Sequence, residues 1–166
     1  IVYWVDDPLT SARIMAVERS AEDLETPWRI GRSGFGYGDD DDFLILDMQG
    51  KHQRLYAVRP FYVSADQLRM WRKVGARGRF KVRYDDAFIV YLNGAEVLRV
   101  GVQSGSGPQA LGVASHEAGA WETFSLRGFV EGLQPGKNVL AIEGHNTKIN
   151  SSDFSLHPLL DVAIGG

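Results

Sequence analysis

The chain contains no cysteine. A disulfide framework, a thiolate zinc site and a cysteine nucleophile are therefore all excluded. It also lacks any apolar run approaching the ~20 residues that a membrane-spanning helix needs, so we expect no membrane insertion. The formal net charge is only −3 at pH 7. Because nucleic-acid binders usually carry a basic excess, we expect no nucleic-acid partner.

Motifs of catalysis are scarce as well. The sequence has no Ser-His-Asp, HExxH or phosphate-loop pattern. The run GFGYG at 34–38 lacks the Lys-Ser/Thr of a nucleotide loop, and no βαβ pattern surrounds it. His116, Glu117 and Asp39 could in principle form an acid/base set, but their spacing does not require it. These absences favour a protein that is not an enzyme.

What the chain does have is alternation of apolar and polar residues. In the segment 79–84, Phe80, Val82 and Tyr84 point one way and three cations point the other. Helical signals are limited to single turns at 20–24 and 129–133. Nineteen glycines help to separate the strands, which suits an antiparallel β-sandwich forming one domain over residues 1–166. Further strands are predicted at 2–5, 12–17, 43–46, 55–63, 68–74, 122–126, 138–145 and 154–164.

The most informative stretch is YDDAFIVYLNGAEVLR at 84–99. Asn93-Gly94 supplies the two positive-φ residues of a type I′ turn, so the stretch predicts a β-hairpin. The run FIVYL at 88–92 is β-branched or aromatic almost throughout and predicts a central strand buried on both faces. Asp85 and Asp86 stand just upstream, at the end of the preceding strand.

This hairpin resembles one in the jelly-roll domains of the galactose-binding-like group. Two further blocks agree: Trp28-x-x-Gly31 followed by GFGYGDDDD, and PGKNVLAIEGHN followed by SSDFSLHPLL. The combination looks like modules found beside spore-coat-kinase-like and lamin-tail-like domains in bacterial exported proteins. More distantly, it is similar to the sugar-binding domain that opens family-2 glycoside hydrolases. Relatives usually carry Gly where this chain has Ala87, so the turn after the aspartates must avoid positive φ or accept strain.

The resemblance implies a jelly-roll sandwich that acts as a non-catalytic carbohydrate-binding module. It also implies a secreted or cell-surface bacterial location and neighbouring domains in a larger parent protein. A protein-interaction or spacer module of a surface protein is the first alternative, and a polysaccharide-degrading enzyme is the second. One fold hosts many functions, so the fold alone does not choose among them.

A calcium ion is the expected cofactor. Four consecutive carboxylates follow the glycine-rich run, and hard oxygen ligands of this kind suit Ca²⁺. Jelly rolls of the resembling group often carry structural calcium. The alternative is a solvated acidic loop, since the run does not follow the spaced pattern of an established calcium loop. The predicted metal ligands are Asp39, Asp40, Asp41 and Asp42.

The expected ligand is a polysaccharide, and two sites compete for it. The first comprises polar and aromatic side chains in loops at one end of the sandwich: Tyr37, Asp85, Asp86, His145, Asn146 and Asp153. The second comprises Trp71, Arg72 and Lys73, beside the cations of 77–83, and would suit an acidic glycan. Structural alternatives remain open for both, because the Asp pair suits a turn and cations suit the solvated face of a strand.

Overall fold

Two five-stranded sheets pack face to face in the computed structural model, which describes residues 2–3, 31–38, 40, 42, 44–103 and 113–164. The first sheet has the order β1 (Val2–Tyr3), β4 (Arg54–Val63), β9 (Gly136–His145), β6 (Ala87–Leu92) and β7 (Ala95–Val100). The second has the order β3 (Leu44–Ile45), β2 (Phe35–Tyr37), β10 (Phe154–Ala163), β5 (Arg77–Asp85) and β8 (Glu122–Leu126). Neighbouring strands are antiparallel except β2 and β3. The predicted all-β sandwich is confirmed.

The alternation of β5 builds one wall of the core. Phe80, Val82 and Tyr84 are buried between the sheets, while Arg79 and Lys81 alternate with them and are partly exposed. This is the period of two expected of a sheet with one face on the core.

Strand β6 is buried on both faces, as predicted. Phe88 and Val90 join the main core, whereas Ala87 and Ile89 pack with Val102 on the opposite side of the sheet. However, β6 is the fourth strand in its sheet, and the middle position belongs to β9. Every residue of β9 from Asn138 to His145 is buried, as a central strand requires.

The hairpin turn between β6 and β7 has the predicted geometry. Asn93 and Gly94 have φ angles of 48° and 84°, both positive as a type I′ turn demands. The Asn93 side chain also accepts a hydrogen bond from the Val139 N–H at 2.9 Å. Ala87 is not among the positive-φ residues, so the turn after the aspartates avoids that strain.

Residues 68–74, which we expected to form a strand, are mostly helical. Helix α1 spans Ala65–Lys73, and only Leu68 within it is fully buried. Ser64 and Gln67 form a capping box, with the Ser64 hydroxyl accepting from the Gln67 N–H at 3.1 Å. A second helix, α2 (Phe129–Gly132), is the predicted single turn.

Neither described helix is long and apolar enough to cross a membrane. The predicted strand 12–17 and turn 20–24 lie outside the described residues.

Candidate functional site

The chain passes from the second sheet to the first at Asp85 and Asp86, between the end of β5 and the start of β6. Loops from elsewhere in the sequence meet at this crossing. One oxygen each of Asp85, Glu117 and Asp153 lies within 4.8 Å of the other two. We call these three residues the acidic corner. The sequence predicted Asp85 and Asp153 as ligand-binding residues, whereas it singled out Glu117 only as a possible member of an acid/base set with His116 and Asp39.

Asp86 anchors the loops that form the corner. Its two carboxylate oxygens accept hydrogen bonds from the backbone N–H groups of His116, at 3.0 Å, and Thr147, at 2.7 Å. Its own N–H donates to the His145 carbonyl at 3.1 Å. Burial alone would raise the pKa of the Asp86 carboxyl, but the two backbone donors, together with hydrogen bonds from the Thr147 and Asp85 side chains, outweigh it and hold the pKa below its usual value. Asp86 is therefore an ionised structural anchor, which agrees with the turn role left open for the pair.

Asp85 has the opposite electrostatic character. It is 5% exposed, and burial together with the charge of Asp86 raises its pKa to about 8. Asp153 and Glu117 push the pKa in the same direction. In the protein alone, the Asp85 carboxyl is therefore largely protonated at neutral pH, and it offers both a donor and an acceptor.

Asn146 and Tyr37 hold the 146–153 loop in place. The Asn146 amide donates to the Tyr37 hydroxyl at 3.1 Å and to the Asp153 carbonyl at 2.8 Å. The Tyr37 hydroxyl donates in turn to the Ser151 carbonyl at 3.3 Å. Burial, with Asp153 nearby, raises the pKa of Tyr37. Because Tyr37 is 6% exposed, it has almost no ring surface for stacking on a sugar, and it acts on the corner by positioning Asp153.

His116 fixes the other side of the corner. Its ring stacks on Tyr84, with centroids 4.0 Å apart and planes 8° from parallel. Its Nδ1 lies 3.0 Å from the Tyr84 carbonyl oxygen, and its Nε2 lies 2.8 Å from a carboxylate oxygen of Glu122. These contacts place the neighbouring Glu117, which is exposed, beside Asp85. Asp39, the third member of the acid/base set considered above, lies outside the described residues.

The side chain of His145 does not join the acidic corner. It lies on the outer face of the first sheet, where its Nε2 is 3.0 Å from an oxygen of Glu143. The Tyr91 hydroxyl donates to the other Glu143 oxygen at 3.3 Å. Burial would raise the pKa of Glu143, but His145, Arg54 and Tyr91 outweigh it and lower the pKa. Sequence reasoning missed this buried cluster, although a carboxylate inside the apolar strand NVLAIEGH was a signal of it.

The two described residues of the acidic run 39–42 lie in different environments. Asp40 is exposed, whereas the Asp42 side chain is buried, with one oxygen 3.1 Å from His157 Nε2. A side chain at Gly36 would collide with the Asp42 carboxylate, so glycine is needed there. Asp39 and Asp41 lie outside the described residues. The calcium ion expected in this run stays a prediction.

The second predicted site lies on a helix, because Trp71, Arg72 and Lys73 form the last turn of α1. The expected placement of Trp71 on a strand face is wrong. Trp71 is partly buried against the core, and Arg72 donates to the Leu133 carbonyl at 3.2 Å. Trp121, by contrast, is 54% exposed just before β8. Trp4 and Trp28 lie outside the described residues.

No family model and no curated protein matches this chain. Among solved structures, a Bifidobacterium dentium β-glucuronidase complexed with coumarin-3-O-glucuronide overlaps 85% of this chain and 18% of its own, at 19% identity and a TM-score of 0.47. A Kluyveromyces marxianus β-glucosidase in complex with glucose overlaps 80% of this chain and 16% of its own, at 12% identity and a TM-score of 0.40. A Dictyoglomus thermophilum β-D-mannosidase overlaps 61% and 10%, at 14% identity and a TM-score of 0.39. The chain spans less than a fifth of these enzymes, and overlaps this weak assign neither an activity nor a ligand.

Proposed function

We propose that this chain is a non-catalytic carbohydrate-binding module that holds an uncharged polysaccharide at the acidic corner. The observation that carries the proposal is the convergence of Asp85, Glu117 and Asp153 within 4.8 Å at one end of the sandwich. Binding sites in β-sandwiches tend to lie on loops held by a rigid scaffold. Here the loops are held by Asp86 and Asn146, so the acceptors are already in place before a ligand arrives.

The chemistry of the corner suits sugar hydroxyls. The carboxyl oxygens of Glu117 and Asp153 supply acceptors, while protonated Asp85 supplies a donor as well. Neighbouring hydroxyls on a sugar ring both donate and accept, so a mixed set of this kind satisfies a pair of them. Hydrogen bonds to charged groups each contribute about 1.5–3 kcal/mol at best. We expect weak to moderate affinity, with little response to salt.

Calcium gives a second form of the proposal, in which Asp85 is a metal ligand instead of a hydrogen-bond donor. Asp85, Glu117 and Asp153 supply three hard oxygen ligands, which is a better-supported location than the run 39–42. Calcium takes about six to eight oxygens, so backbone carbonyls, water or sugar hydroxyls would complete the shell. The buried Asp85 carboxyl, which its like-charged neighbours keep protonated, would ionise beside a divalent cation. The residues therefore fit a hard cation.

The test is retention of the protein on immobilised xylan, galactomannan and mixed-linkage β-glucan, with calcium or with EDTA. Asp153→Asn and Glu117→Gln should each weaken retention of the glycan that binds by about fivefold or more, since each loses a charge-assisted contact. Asp66→Asn is the matched control, because Asp66 is exposed on α1, outside the corner. Retention on none of these glycans, or equal retention of all three variants, would contradict the proposal. Equal retention with calcium and with EDTA would contradict only the calcium part of the proposal.

A retaining glycoside hydrolase is the second candidate. In such enzymes two carboxyl groups about 5–5.5 Å apart act as acid and nucleophile, and the acid has a raised pKa. The corner brings one oxygen of each carboxyl group within 4.8 Å of the others, which is closer than that spacing, and Asp85 has the raised pKa. Against it, only 5% of Asp85 is exposed, which leaves room for one hydrogen bond to a sugar hydroxyl but not for close approach to a glycosidic oxygen held between two rings. Release of reducing ends from the same glycans, abolished by Asp85→Asn, would establish the enzyme and overturn the non-catalytic reading.

A further inference from the structure

The solvent face of β5 carries a row of four cations, Arg77, Arg79, Lys81 and Arg83. We call these residues the cationic row. They occupy alternate positions of one strand, so neighbouring members are about 6.6 Å apart and the row is about 20 Å long. The whole chain has a net charge of −3, so this concentration of positive charge is a local feature of one face.

The strands beside the row add polar and aromatic groups. On the β8 side, Thr123 lies opposite Lys81 and Ser125 lies opposite Arg79, and both are exposed. Trp121 stands two positions before Thr123 in the alternation and is 54% exposed. Hydroxyl side chains and an indole are the groups that hold sugar rings, by hydrogen bonding and by stacking.

Most of the row remains available to a ligand. Lys81 forms no ion pair with any described residue. Arg79 pairs with Asp161, and the Nε of Arg83 donates to the Gly119 carbonyl at 2.9 Å. A guanidinium has five N–H donors in a planar fork, so the exposed Arg77 and the singly paired Arg79 offer donors to a carboxylate or a sulfate.

We propose that this face, comprising the cationic row with Trp121, Thr123 and Ser125, binds an acidic polysaccharide. The acidic corner begins at Asp85, the next alternate position of β5 after Arg83, so an acidic chain would be held along the row and repelled beyond its Arg83 end. The inference does not depend on the function proposed at the corner. A line of cations matches a linear polyanion better than a compact anion.

The spacing favours a glycan over nucleic acid. Duplex DNA carries one charge per ~1.7 Å, far denser than one cation per ~6.6 Å. Proteins that bind single strands line a groove with several stacking aromatics. On this face Trp121 is the one strongly exposed aromatic among the described residues. A uronic-acid glycan carries about one charged group per sugar ring, which suits sparse cations beside one aromatic side chain that can stack on a ring.

The test compares wild type with Arg77→Glu/Lys81→Glu on immobilised polygalacturonate, at low and high salt. The double variant should bind about tenfold more weakly at low salt, as expected when one or two charge-assisted contacts are lost. Lys51→Glu/Arg69→Glu is the matched control, because it makes the same charge change at exposed residues away from the row. High salt should weaken wild-type binding, since screening acts on exposed charges. Trp121→Ala should lower the part of the binding that survives high salt.

Several results would overturn the inference. One is equal binding by wild type and the double variant, with thermal melting showing that both are folded. Another is an equal loss in the control pair, which would mean that only net charge matters. A third is stronger binding to duplex DNA than to polygalacturonate. Loss of binding in Trp71→Ala but not in Trp121→Ala would move the site to α1. Because the cationic row is probed only with acidic chains, its failure leaves the result for uncharged glycans unaffected.

Discussion

Replacing Asp85 by asparagine should stabilise the protein at high pH and leave it unchanged at low pH. The Asp85 carboxyl has a pKa raised from 3.8 to about 8 in the fold, chiefly because it is buried and lies beside Asp86. The folded state therefore binds this proton more tightly than the unfolded state does. The stability that this bound proton contributes is fully present below the pKa of Asp85 in the unfolded chain, and it is lost as the pH rises through about 8. Asparagine imitates the neutral carboxyl and cannot ionise, so it avoids that loss.

The size of the effect follows from the two pKa values. Each tenfold change in proton affinity corresponds to about 1.4 kcal/mol. The rise in the pKa of Asp85 therefore means that its ionisation lowers the unfolding free energy by at most about 6 kcal/mol. Water reaches the corner through the exposed Glu117, and screening reduces the penalty on an ionised Asp85. We therefore expect Asp85→Asn to exceed wild type in unfolding free energy by about 2 kcal/mol at about pH 9. The two proteins should be nearly equal at about pH 4.

The measurement is urea unfolding of both proteins across this pH range, with EDTA present so that no cation neutralises the corner. Asp86→Asn is the matched control at the adjacent residue. It should destabilise by about 1–3 kcal/mol at high pH, because an amide has one acceptor oxygen for the two N–H groups of His116 and Thr147. That cost should shrink as the pH falls and Asp86 itself protonates, since its pKa is lowered in the fold. An Asp85→Asn variant no more stable than wild type at about pH 9, or equally shifted at every pH, would refute the reasoning.

Three further predictions concern stability and can be measured by the same urea unfolding. Asn138→Ala should cost about 2–4 kcal/mol, because Asn138 is fully buried and its amide makes four hydrogen bonds; a cost below about 1 kcal/mol would contradict this account. Ser64→Ala should cost about 1 kcal/mol by removing the capping box of α1, and an unchanged midpoint would show that the cap contributes nothing. Gly36→Ala should cost about 1–3 kcal/mol, because the added methyl group meets the Phe154 carbonyl and the Asp42 carboxylate. Gly119→Ala, where the nearest atom would be 3.9 Å away, should be tolerated, and equal costs for the two glycines would refute the steric explanation.

Local sequence accounts for much of the sandwich. Asn93-Gly94 determined the hairpin, because few dipeptides tolerate two consecutive positive φ angles. The alternation in β5 determined which side chains face the core, since a one-residue slip would expose all of them. Strand β8 was predicted with its observed bounds, Glu122–Leu126.

Helix α1 shows where prediction of secondary structure from the local sequence fails. A short apolar run does not distinguish a strand from a helix by periodicity alone. The discriminating signal was the capping box at Ser64 and Gln67, which lies upstream of the apolar residues and satisfies the first free N–H groups of a helix. The same misassignment placed Trp71 on a sheet, whereas the cations at 77–83 do lie on one.

The sequence by itself determined most of the described strands, the turn and the carboxylates, but only the tertiary structure decided how those carboxylates behave. Asp85 and Asp86 are the same residue type in adjacent positions, yet one pKa is raised and the other is lowered. Asp86 meets two backbone donors from distant loops, while Asp85 is buried beside the charge of Asp86, and Asp153 and Glu117 add to the effect. The burial, the backbone donors and the two further carboxylates come from segments far away in the sequence, which the crossing between the two sheets brings together. Electrostatic free energy depends on distance and solvation in space, and sequence order specifies neither.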